Sequence, residues 1–310
     1  MKAVRAYVAG GAVLSVVLAA CSGHVKPAPP KTAEAAAKAV VDGLLQNKPV
    51  VLWNALPASY QKDINEVVHT AVGKADPALW NAGWELFGKL VTLAKTKKDM
   101  VLKTPALADA KAPVKAAELG RNWDAVVGLL DTLAQSDLRN FEKAKTMDMG
   151  AFFDKTGAEL MSKLQALSQL FPPDKMQDNP WVVLKTFKVA PVKAEGDTAT
   201  VKVEFGGEPA LEEQFVRIEG KWIPMKLAAF WNDAMSRTKK EIAEMPKADP
   251  KTNEQLLGVI KAANNALNTM IEAKTQEEFN MGLVQAMAPL GPLLIGRMGE
   301  KEQGAPTPAP

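Results

Sequence analysis

The chain has little of the equipment that catalysis or disulfide bonding needs. Among 310 residues there is one cysteine, Cys21, and two histidines, His24 and His69. A single thiol excludes an intramolecular disulfide, and two distant histidines without a second thiol exclude the usual zinc sets. No serine sits in a G-x-S-x-G elbow. Neither G-x-x-x-x-G-K-[ST] nor a strand-following G-x-G-x-x-G is present, which excludes the common phosphate and dinucleotide loops. The acidic residues show no calcium-loop spacing. Charge of one sign is also lacking: 38 basic residues face 35 acidic ones, a net charge of +3. That balance argues against nucleic acid as a partner. No catalytic residue, metal ligand or cofactor is therefore expected. His69 stands beside Val67 and Val68 on a helical stretch and reads as a helix-surface histidine; His24 reads as solvated. Paired carboxylates of the glycosidase kind remain open, because two placed acids suffice for that chemistry, but no pair stands out from solvated helix faces.

What is present begins at the amino terminus. Lys2 and Arg5 precede an uncharged, mostly apolar run from Ala6 to Val17. That run is about half of the roughly 20 residues a permanent spanning helix needs. A basic start, a short apolar stretch and small residues at its end are the pattern of a secretory signal over residues 1–20. The end itself, Leu18-Ala19-Ala20-Cys21, resembles the lipobox of bacterial lipoproteins. The resemblance implies cleavage before Cys21, a thioether lipid on its sulfur, and acylation, palmitate among the candidates, of the new amino terminus. Ser22 in the next position, where aspartate favours inner-membrane retention in Gram-negative lipoproteins, implies sorting to the outer membrane, with the body facing the periplasm. The membrane is then a partner through Cys21.

Residues 21–31 read as a flexible tether, with Pro27, Pro29 and Pro30 and almost no bulky apolar residue. Residues 32–298 are expected to form a single globular α+β domain, or a helical part over 32–172 followed by an α+β part over 173–298. Thr32 can cap a helix through the Ala-rich stretch to about Gln46. A second helix follows Pro57 and closes at Gly73. Asp76-Pro77 pairs a side-chain cap with proline at the first helical position. The helix it opens carries Leu79, Trp80, Trp84, Phe87 and Val91 as an apolar stripe. Further helices are expected around Leu119 to Leu133 and from Phe152 to Leu170, the latter stopped by Pro172-Pro173. Seven tryptophans punctuate the chain. Trp80, Trp84, Trp123 and Trp231 are expected in the core, with Trp53 and Trp181 the most exposed.

The period then changes from 3.6 to 2. Four strands are expected within residues 181–225: Trp181 to Val189, Thr198 to Phe205, Glu213 to Glu219 and Lys221 to Met225, with turns at Gly196 and Gly220. Gly196-Asp197-Thr198-Ala199-Thr200-Val201-Lys202-Val203 and Phe215-Val216-Arg217-Ile218-Glu219-Gly220-Lys221-Trp222 give residues 187–231 a resemblance to the C-terminal sheet of NTF2-like (SnoaL-like) domains. That likeness implies helices packed on a curved sheet, forming a cup for a small apolar ligand. The Asp/His pairs of some members have no counterpart here, so no residue role carries over.

Helical period returns from Leu227, again from Asp249-Pro250 or Asn253, and once more after Thr275-Gln276-Glu277-Glu278, which matches a capping box. The run Ala288 to Ile295 is expected to tuck against the core, and residues 299–310 form a Pro/Ala-rich tail expected to be disordered. The sequence thus points to a mostly helical α+β protein with one small antiparallel sheet. The role it suggests is a lipid-anchored envelope protein that binds an envelope partner without catalysis, with an NTF2-like cup or a carboxylate-dependent glycan-active enzyme as alternatives.

Overall fold

Thr32 accepts a hydrogen bond from the Ala35 N–H at 3.1 Å and so starts the first helix, as its position before an Ala-rich run predicts. The computed structural model describes residues 29–104, 116–168, 179–245 and 250–287. The signal segment with Cys21, the tether up to residue 28, Pro172-Pro173, the run 288–295 and the tail lie outside the described residues.

The elements run as follows: α1 (Ala33–Leu45), α2 (Val50–Ala55), α3 (Ala58–Lys74), α4 (Pro77–Thr96), α5 (Lys98–Leu102), α6 (Ala116–Ala134), a 3₁₀ turn (Asp137–Arg139), α7 (Phe141–Lys145), α8 (Met149–Phe152), a π-helical turn (Phe153–Gly157), α9 (Ala158–Ser168), α10 (Pro180–Lys185), β1 (Lys188–Glu195), β2 (Thr198–Glu204), β3 (Leu211–Ile218), β4 (Lys221–Pro224), α11 (Met225–Glu244), α12 (Pro250–Glu272) and α13 (Gln276–Met287). The protein is mostly helical α+β with one four-stranded antiparallel sheet in the order β1-β2-β3-β4.

Contacts group the chain into two compact units that interleave in sequence. The first takes residues 1–74 and 135–246; the second takes 75–134 and 247–310. A linear boundary after residue 172 does not describe this grouping. The reason is visible in the core: Ala33 and Ala36 of α1 pack on Ala199, Val201, Phe215 and Trp222, so the first helix belongs with the sheet.

In the first unit two of the three connections in the sheet are tight. Gly196 at φ +57° turns β1 into β2. Ile218 pairs with Lys221, leaving Glu219 (φ +50°) and Gly220 (φ +76°) as a two-residue loop with both residues left-handed. That geometry matches the right-handed strand twist. Glu219 sits there at some conformational cost, and its carboxylate accepts from the Ser59 N–H at 3.1 Å, capping the open start of α3. A bulge between Pro191 and Lys193 marks β1, an outer strand where a missing N–H is tolerated.

One face of the sheet carries Ala199, Val201 and Phe215 and is covered by α1. On the other face, Val216 and Ile218 join a second cluster around Trp53, Tyr60, Ile64, Phe153, Ile223 and Trp231. Both faces thus meet helices, as a four-stranded sheet requires.

The expected strand Trp181 to Val189 is corrected. Asn179 accepts from the Trp181 N–H at 3.0 Å, Pro180 occupies the first helical position, and α10 runs to Lys185, so the sheet spans 188–224 instead of 181–225. The cap outweighs the β-branched Val182 and Val183. The expected helix from Phe152 is likewise interrupted by the π turn at Phe153–Gly157, where Phe153 is fully buried.

In the second unit, α4 starts where Asp76 accepts from the N–H groups of Ala78 and Leu79 at 2.8 and 3.0 Å. One side of α4 delivers Leu93 to a cluster of Leu267, Met270, Ala273 and Phe279 from the α12–α13 pair. Trp123 of α6 donates its indole N–H to the Ala94 carbonyl at 2.8 Å, and Lys97 donates to the Ala273 carbonyl at 2.5 Å. Thr275 Oγ1 accepts from the Glu278 N–H, and Glu278 accepts from the N–H groups of Thr275 and Lys274, the reciprocal box read from the sequence.

Candidate functional site

Three features carry the functional question: the place where the tether enters the folded body, the charged groups, and an aromatic groove. Cys21 lies outside the described residues; Lys31, ten residues further on, lies within them. Trp222 of β4, buried to 7 % exposure, donates its indole N–H to the Lys31 carbonyl at 3.1 Å. The chain is thereby hydrogen-bonded to the sheet one residue before the α1 cap.

The charged groups hold the fold. Asp63 of α3 accepts from Trp231 Nε1 at 3.0 Å and from Lys239 Nζ at 2.8 Å, while Glu66, one turn on, accepts from the same ammonium at 3.0 Å. Tyr60 lies against the Trp231 ring. Partial burial alone would raise the Asp63 carboxyl; the bonds from Lys239 and Trp231 outweigh it and hold the group below its ordinary value. The same bonds, from Asp63 first and then Glu66, raise Lys239. These groups tie α11 to α3.

Asp76 is held low first by the Leu79 N–H it caps, and Glu278 first by the Lys274 N–H. His69 lies half-buried on α3 with Nε2 2.8 Å from the Met147 carbonyl oxygen. Among the described residues no group of three His, Cys, Asp or Glu side chains could hold a metal ion, and no helix is long and apolar enough to cross a membrane.

The groove lies in the second unit. Leu79, Trp80, Gly83, Trp84 and Phe87 of α4, with Leu133 of α6, line an open cavity of about 340 Å³. Trp84 meets Phe87 edge to face at 5.6 Å and Trp80 at 6.3 Å. No Cβ placed on Gly83 would touch anything within 4 Å, so the groove floor is bare. Such a lining can take an aliphatic or aromatic group by apolar contact and stacking.

The tryptophans divide differently from expectation. Trp123 and Trp231 are buried as their stripes predict, and Trp181 is half-buried. Trp80 and Trp84, expected in the core, are half-buried at the groove, whereas Trp53, expected to be partly exposed, is 5 % exposed against Phe153. Helix α4 is apolar over more than one side, and its Leu86 and Leu93 pack against the α12–α13 cluster. Periodicity finds the stripe but not which flank gains a neighbour. The breadth of the apolar arc, Leu79 with Trp80 and Gly83 with Trp84, is the signal that marks the second flank.

The resemblance of residues 187–231 implied helices packed on a curved sheet to form a cup for a small apolar ligand. Helix α1 lies on the apolar face here. No protein-family model matches the chain, and no curated protein or solved structure matches it either.

Proposed function

We propose that this chain is a lipid-anchored protein of a bacterial cell envelope, sorted to the outer membrane and facing the periplasm, which works by binding an envelope partner rather than by catalysis. The observation that carries the reading is Leu18-Ala19-Ala20-Cys21 behind Lys2, Arg5 and the uncharged run from Ala6 to Val17. A thioether lipid on Cys21 together with an acylated amino terminus supplies more than one chain. One chain holds a protein to a bilayer marginally, two or more hold it stably. Ten residues from Ser22 to Lys31, at roughly 3.6 Å each when extended, keep the body within about 35 Å of the headgroups.

Two facts support binding over chemistry. The carboxylates with shifted proton affinity are engaged as helix caps, as the clasp on Lys239 or, at Asp137, in an ion pair with Lys143. The accessible aromatic surface of α4 offers apolar contact and little else.

Two experiments test the reading. Fractionation of cells carrying Cys21→Ser moves the protein from the membrane to the soluble or unprocessed fraction; a variant that stays processed and membrane-bound contradicts the anchor. Crosslinking in intact cells, followed by purification of the wild-type protein, recovers an envelope component above the level of an unrelated lipoprotein; recovery at background contradicts the binding role.

A further inference from the structure

We infer that the α4 groove binds an unbranched hydrocarbon chain, the acyl chain of a lipid molecule separate from this protein, a reading that rests on the proposed binding role and names what is bound. The groove runs along α4 from Leu79 to Phe87. Eight residues at about 1.5 Å each make it about 12 Å long. A cavity of about 340 Å³ over that length is a trough roughly 6 Å across, too narrow for a second helix, which is about 10 Å thick.

The lining decides what else is turned away. Among the described residues it offers leucine, phenylalanine and glycine surface and the rings of Trp80 and Trp84. Indole N–H groups donate and accept nothing. An extended peptide laid in the trough would bring N–H groups that find no acceptor there. The hydroxyls of a sugar would lose their water in the same way. The neighbouring charges are matched by one another: Glu85 holds Lys89 at 2.9 Å, and Lys95 of α4 reaches Asp131 of α6 at 2.7 Å. A neutral occupant therefore complements the site. A lone aromatic ring fills only part of the length. A hydrocarbon chain is long, narrow and uncharged, and has no polar atom along it to leave unpaired. The lipid on Cys21 belongs to the bilayer in the anchoring reading, so the chain in the groove comes from another molecule.

The test uses the mature chain from residue 21 with Cys21→Ser, which carries no lipid of its own, titrated calorimetrically with butanol, hexanol, octanol, decanol and dodecanol. Affinity should rise about fourfold per methylene, as the burial of each predicts, and level off once the alkanol outgrows the trough. No binding, or an affinity that does not grow with chain length, overturns the inference. So does tighter binding of indole or of a soluble glycan oligomer than of decanol. Gly83→Leu fills the trough floor, where an added Cβ meets nothing within 4 Å. Its melting temperature should be kept while decanol binding weakens about tenfold, the equivalent of one to two buried methylenes. Gly258→Leu on α12, with equal space around its Cβ, should bind decanol as its parent does. Unchanged binding by Gly83→Leu overturns the inference. In bilayer discs the lipidated wild type should still be labelled on α4 by a photoreactive decanol; labelling confined to the Cys21→Ser form assigns the groove to the chain's own lipid and overturns the choice of a separate molecule. An envelope component recovered by crosslinking in cells, without alkanol binding here, overturns this inference and leaves the binding role standing.

Discussion

The indole nitrogen of Trp222 and the carbonyl oxygen of Lys31 lie 3.1 Å apart, joining the last strand of the sheet to the residue where the amino-terminal segment meets the fold. A phenylalanine keeps most of the ring packing but loses the donor. Trp222→Phe should therefore cost about 1 kcal/mol, the usual net worth of one hydrogen bond. It should also speed protease cleavage before Thr32. Trp222→Ala removes the packing on Ala33 and Val201 as well and should cost about 3–5 kcal/mol. Chemical denaturation and timed proteolysis of the three proteins check both values.

The clasp of Trp231 and Lys239 on Asp63 gives stability a defined pH dependence. Asp63 binds its proton more weakly in the fold than its ordinary value of 3.8 implies. Its contribution is thus complete above that unfolded value and is lost as pH falls through the lower folded value. Asp63→Asn should destabilise the protein by about 1 kcal/mol at pH 7, since the pair is partly exposed. Below the folded value the gap to wild type should close. Denaturation of both proteins across the acid range measures this; a gap that persists at the lowest pH contradicts it.

Two glycines in helices should respond in opposite directions to alanine. A Cβ on Gly282 would meet Met270 Cγ at 2.5 Å and the Met270 backbone nitrogen at 3.3 Å, and backbone cannot move aside. Gly282→Ala should cost about 1–3 kcal/mol by overpacking α13 on α12. Gly258, inside α12, has nothing within 4 Å of the place an alanine methyl would take. Gly258→Ala should add about 0.5–1 kcal/mol by removing freedom from the unfolded chain. Melting temperatures of the two variants, falling and rising respectively, check the pair.

The box at the start of α13 should behave as one unit. Thr275→Ala and Glu278→Ala each remove partners of backbone N–H groups and should each cost about 0.5–2 kcal/mol. The double variant should cost less than the sum, because the two side chains serve the same helix start. A double-variant cycle by denaturation decides it.

What is legible in the sequence is what is decided within a few residues. The Asp76-Pro77 start, the Thr275–Glu278 box and the Gly196 and Gly220 turns all follow from local backbone needs, and all appear where their signals stand. The misread elements are those where two signals compete or a distant neighbour decides. Around Trp181 a cap at Asn179 competes with β-branched residues, and the cap prevails. Trp53 is drawn inward by Phe153, far along the chain, which no short pattern records. Trp80 and Trp84 lie on a good stripe, yet with Leu133 they line an open groove. The grouping of residues 1–74 with 135–246 likewise depends on pairings across long separations.

The anchor is the claim on which the proposed role depends, and one measurement reaches it directly: intact-mass and peptide mass spectrometry of the purified mature protein. The account predicts a first residue Cys21 whose sulfur and amino group both bear lipid. A free thiol at Cys21, or a chain that still begins at Met1, would contradict it.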